Sequence, residues 1–163
     1  MGLVSSSVYP QLDRILDFTP GTPKEVDAMR WEIDYLKEND IVTVKTSGII
    51  TWEDNKQMSR EVLADSIRHS TKRVLVDHRA IQSNLSILQI DNLPAMFKEI
   101  GIGPECRVAI LFDPASPRSG NFTFFQNVSI IASLQFRVFS EHTEAIEWLK
   151  SNNKPDKIPA KNR

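Results

Sequence analysis

Two short runs decide how this chain is read: Arg73-Val74-Leu75-Val76-Asp77 and Arg107-Val108-Ala109-Ile110-Leu111-Phe112-Asp113. Each is apolar at consecutive positions, so both faces of the extended backbone need burial, as in an inner strand of a parallel sheet; a strand with one wet face would alternate. Between them, residues from about 86 to 100 place Ile87, Leu88, Ile90, Leu93, Met96, Phe97 and Ile100 at helical spacing. Pro94 falls inside that stretch, and because proline removes a helix hydrogen bond the sequence predicts a kink or break near Asn92 to Leu93. Strands joined by a helix of this length run parallel, with a right-handed crossover.

Toward the N-terminus the periodicity changes. Trp31, Ile33 and Tyr35 alternate with Glu32 and Asp34, and a turn around Glu38-Asn39-Asp40 leads into Ile41-Val42-Thr43-Val44-Lys45-Thr46, which predicts an antiparallel hairpin. After Gly48, Thr51 offers a hydroxyl cap followed by Glu53 and Asp54, and the helix so begun carries Met58, Val62, Leu63 and Ile67 as far as His69. Toward the C-terminus the pattern gives a helix over about 119–134, a strand over about 136–140 and a helix over about 143–150. The order β-β-α-β-α-β-α-β-α specifies an α/β fold, an open mixed sheet of five strands with the first as an antiparallel edge. If strands two to five are sequential neighbours, right-handed crossovers gather their helices on one face, and the other needs a cover. The segment around Leu12 to Leu16, a second subunit and an apolar ligand are the candidate covers.

The chain has 163 residues, 40% of them hydrophobic and 25% charged, with a formal net charge of -1. That composition suits a single globular domain, expected over 30–151, with a Pro-interrupted extension over 1–29 and a basic tail over 152–163. A near-neutral chain offers no field that would draw in nucleic acid. Cys106 is the lone cysteine, so no internal disulfide forms. No apolar run reaches the ~20 residues of a membrane span, and no charged-then-apolar leader opens the chain, so the cytoplasm is the expected compartment. Neither a metal-ligand spacing nor a glycine-rich phosphate loop occurs, so no metal or cofactor is expected.

Ligands of open parallel sheets bind beyond the carboxyl ends of the strands. There the chain collects Asp77-His78-Arg79, the loop from Asp113 to Gly120, and Ser140-Glu141-His142. Arg79, Ser116, Arg118 and Ser119 form a candidate anion site beside a helix start. An enzymatic reading would use Asp77, His78 and Asp113 but lacks a nucleophile, because Cys106 precedes its strand while His78 follows its own. Phe122, Phe124, Phe125, Val128 and Ile131 lie on nearly every side of one helix, which predicts a helix that is sandwiched, placed at a subunit interface, or set against a hydrophobic ligand.

The stretch Val42-Thr43-Val44-Lys45-Thr46-Ser47-Gly48-Ile49-Ile50-Thr51-Trp52-Glu53-Asp54, with Arg73-Val74-Leu75-Val76-Asp77, Phe136-Arg137-Val138-Phe139 and Glu144-Ala145-Ile146-Glu147-Trp148-Leu149, resembles the SpoIIAA-like family of small bacterial proteins. The resemblance runs over about 30–151 and extends to the STAS domains of anti-sigma-factor antagonists and to the CRAL-TRIO lipid-exchange fold. It implies a β/α superhelix and usually a non-enzymatic module; the preferred reading is a module that binds a protein partner or itself, as a homo-oligomer, through the hydrophobic helix after Gly120, and the alternative is a carrier or sensor of a small hydrophobic or lipid-like ligand. Anti-sigma antagonists carry an Asp-Ser-Ser/Thr-Gly segment whose serine is phosphorylated. This chain has Gln82-Ser83-Asn84-Leu85-Ser86 in that region, which leaves Ser83 and Ser86 as candidate phosphorylation sites without the motif around them.

Overall fold

A computed structural model describes residues 28–152. Strands β1 (Arg30–Leu36) and β2 (Ile41–Ile50) form the expected hairpin, paired from Arg30 against Ser47 to Leu36 against Ile41. Asp40 closes the turn with φ 54°, a left-handed conformation that aspartate tolerates. Strands β3 (Arg73–Ser83), β4 (Arg107–Leu111) and β5 (Gln135–Phe139) add on in chain order, each parallel to the one before. Helices α1 (Trp52–Arg68), α2 (Ile87–Ile100) and α3 (Gly120–Ile131) connect them, and α4 (His142–Lys150) follows β5. The open mixed sheet of five strands is therefore the architecture expected from the two apolar runs.

Alternation along the inner strands sorts the core into two layers. Val42, Val44, Val74, Val76, Val108, Ile110 and Phe136 enter the main core, which also takes residues of α1, α2 and α3. The intervening Ile41, Leu75, Ala109 and Leu111 form a second cluster with Ala145 and Leu149 of α4. The cover for the far face is thus α4, which was absent from the three candidate covers. A helix that follows the last strand has no onward strand to reach, so the crossover rule does not hold it to the crowded face. Arg107 ties it down: its guanidinium donates to the carbonyl oxygens of Leu149 and Ser151 and lies 4.5 Å from the Trp148 ring centroid. The segment around Leu12 to Leu16 and the basic positions from Lys154 onward lie outside the described residues.

Several boundaries differ from the sequence expectation. Strand β2 continues to Ile50 through Gly48, whose φ of 87° only glycine adopts freely, and β3 continues six residues past Asp77 to Ser83. Helix α2 does not break near Asn92 to Leu93; it runs through Pro94, which is buried in the core side of the helix. Burial of its apolar face outweighs the one hydrogen bond that proline removes. Helix α3 stops at Ile131, short of Leu134, and Ser133 turns the chain with φ 62°.

Candidate functional site

The pairing of β2 with β3 slips in the middle. Lys45 faces Asp77, yet Ser47 faces Ala80, so two steps along β2 match three along β3. This is a β-bulge, a device that re-aims side chains. Here it sets Thr46 and His78 side by side on the face that carries the main core, with Thr46 Oγ1 2.7 Å from His78 Nδ1. The same hydroxyl donates to the Asp77 carbonyl oxygen at 2.7 Å. A hydroxyl has one proton, and here the carbonyl takes it. The ring must then donate from Nδ1, and this network assigns a lone pair to Nε2. No described residue hydrogen-bonds Nε2. Both side chains are buried, with relative exposures of 2% for Thr46 and 9% for His78. Burial pushes the His78 pKa down to about 4 against the opposing pull of Asp77, so the ring is neutral at pH 7.

His78 borders a chamber of about 100 Å³ between the sheet and α1, α2 and α3. The lining is mostly apolar: Val76 and Ile110 from the sheet, Met58 and Val62 from α1, Phe97 from α2 and Phe125 from α3. Polar side chains are few. Asn55 and Ser59 lie near the start of α1, Ser83 ends β3, and Asn121 opens α3. Ser59 Oγ donates to Asn55 Oδ1 at 3.4 Å. Farther along α1, Ser66 Oγ is buried without a hydrogen-bond partner. Cys106 lines the chamber at the opposite end, and burial pushes its thiol pKa up, which disfavours the nucleophilic thiolate. Register places residue 106 six positions from His78 along the strands, about 20 Å at ~3.3 Å per residue, so the two form no dyad.

Of the four residues of the expected anion site, the two arginines are engaged elsewhere. Arg79 grips Asp77 through Nε at 2.9 Å and Nη2 at 2.7 Å, which holds the Asp77 carboxyl below the usual carboxylate range. Arg118 donates to the Ser83 carbonyl oxygen at 2.6 Å. Ser119 precedes α3 without a side-chain cap bond, and its backbone N–H donates to the Ser116 carbonyl oxygen at 3.0 Å. That contact is the sole hydrogen bond between any two of the four among the described residues. His78, expected in a loop, instead sits inside β3.

The hydrophobic helix divides its residues. Phe125 is buried, Phe122, Phe124 and Val128 pack partly buried against the main core, and Ile131 stands 67% exposed. Ser86 is the N-cap of α2: its Oγ accepts from the Gln89 N–H at 3.2 Å while Gln89 Oε1 accepts from the Ser86 N–H at 2.9 Å. Ser83 Oγ accepts from the Leu85 N–H at 3.3 Å. Sequence reasoning passed over Thr46, Asn55, Ser59 and Ser66. A signal was present, because Asn55, Ser59, Val62 and Ser66 fall at i, i+4, i+7 and i+11, so small polar residues interrupt the inward stripe of α1.

No family model and no curated protein matches the sequence. Solved structures do. The crystal structure of an anti-sigma factor antagonist from Mycobacterium paratuberculosis is 18% identical and superposes with a TM-score of 0.54 over 77% of this chain and 97% of that one. An uncharacterized protein of the DUF3478 family from Shewanella loihica PV-4, described as having a SpoIIAA-like fold, is 21% identical with a TM-score of 0.47 over 75% of this chain and 93% of that one. The mixed sheet in sequential order, flanked by helices on both faces and aligned over nearly the whole of the antagonist, makes this a chain of the SpoIIAA/STAS-like fold.

Proposed function

We propose that this protein is a non-catalytic regulatory module that binds a small apolar molecule in the chamber beneath α1, α2 and α3. The chamber itself carries the reading: about 100 Å³ of partly open space lies against the main core, with a lining that is mostly apolar. Apolar cavities of ~150 Å³ stay dry and take up benzene, so this one suits a slender ligand rather than a two-chain lipid. Neutral His78 and protonated Cys106 are poor groups for nucleophilic or acid-base chemistry, and no described cluster of His, Cys, Asp and Glu has the makings of a metal site. Native mass spectrometry of freshly purified full-length protein should show a small-molecule adduct that is lost on denaturation. Clean apoprotein whose melting temperature no small apolar compound raises would reject the reading.

A protein-association reading has one observation of its own. Ile87 and Leu88, 55% and 74% exposed, open α2 next to Ser83 and Ser86. The comparable fold of an anti-sigma factor antagonist supports a protein-facing output, here a second copy of this chain. Light scattering should then find a dimer at high micromolar concentration that Leu88→Asp abolishes. A monomer throughout would end this reading.

A further inference from the structure

The geometry points to a specific occupant for the chamber: a slender, neutral aliphatic molecule with one hydroxyl, whose O–H donates to His78 Nε2. The inference rests on the apolar-ligand reading above and adds the chemistry of the head group. Thr46 decides it. Its hydroxyl proton is committed to the Asp77 carbonyl, so the imidazole keeps its proton on Nδ1 and presents Nε2 as an acceptor. Among the described residues nothing fills that acceptor. His78 is 9% exposed and lines the chamber, so a ligand with a donor can reach this acceptor and complete the bond.

The surroundings narrow the class. Helix α1 begins just beyond the carboxyl end of β2, so Asn55 lies at the same end of the chamber as His78. Its Oδ1 accepts from Ser59 Oγ, which leaves the amide N–H groups to donate to a hydroxyl oxygen. A carboxylate brings no donor and would place its charge beside a neutral ring, with the Asp77 carboxylate adjacent in sequence, so an ionised fatty acid is the wrong partner. The small volume, about 100 Å³, and the mostly apolar lining fit a short unbranched chain better than fused rings.

The test compares three six-carbon probes on the full-length protein by NMR titration at pH 7: 1-hexanol, its isomer methyl pentyl ether, and hexanoate. Hexanol should bind about tenfold tighter than the ether, as one recovered hydrogen bond allows, and should shift the His78 Nε2 resonance. Hexanoate should bind more weakly than either. Thr46→Val removes the acceptor that fixes the tautomer, so the hexanol-over-ether preference should collapse while ether binding persists. Equal binding of hexanol and ether to the wild type would overturn the hydroxyl assignment and leave the apolar-ligand reading standing. Binding of none of the three would overturn both.

Discussion

At the scale of single residues, His78 couples stability to pH. Its folded pKa of about 4 lies below the ordinary value of 6.5, so the unfolded chain binds the extra proton between those two values. Stability is therefore full above pH 6.5, falls as pH drops toward 4, and has lost on the order of 3 kcal/mol from this group by pH 4, at about 1.4 kcal/mol per unit. Asp77, whose pKa is lowered by its pairing with Arg79, adds a further loss as pH falls through the ordinary carboxylate value toward its lower folded one. Urea denaturation at pH 7, 5.5 and 4 should show the wild type weakening across that window and His78→Leu nearly flat; parallel slopes would refute the assignment. Thr46→Val should cost about 1–3 kcal/mol, because it leaves His78 Nδ1 and the Asp77 carbonyl without the hydroxyl that joins them, whereas Thr46→Ser keeps the hydroxyl and should cost less.

At the scale of elements, α4 is the informative one. Leu149 is fully buried against the second cluster, with 0% exposure, while Ile131 at the end of α3 is open to solvent. Leu149→Ala should cost about 2–5 kcal/mol of unfolding free energy through lost burial and the cavity left behind. Ile131→Ala should stay within about 0.5 kcal/mol. Chemical denaturation of both variants ranks them; equal losses would mean that α4 is not the cover of the far face. The edges of the sheet are also managed by particular side chains. On β5 the Val138 N–H donates to Gln126 Oε1 of α3 at 2.8 Å, which occupies a donor that an outside strand would otherwise find.

At the scale of the whole molecule, the slowest-exchanging amides should lie in β3 and β4, which have paired strands on both sides and apolar cover front and back. Hydrogen exchange should rank the centres of those strands above β1 and β5; faster exchange there than at the edges would contradict the layering. The sequence determined this architecture because its signals are local. Consecutive apolar residues at Val74-Leu75-Val76 and Val108-Ala109-Ile110-Leu111 demand two-sided burial whatever surrounds them, and the alternation at Trp31, Ile33 and Tyr35 demands one-sided burial. Only the tertiary structure decided the cover and the site. Which helix lies on the far face depends on how β5 hands the chain over an edge, and neither period nor propensity encodes that. The chamber is a shortfall of volume among residues from seven separate elements, and the acceptor on His78 exists because a bulge brings Thr46, 32 positions away in sequence, within 2.7 Å of the ring.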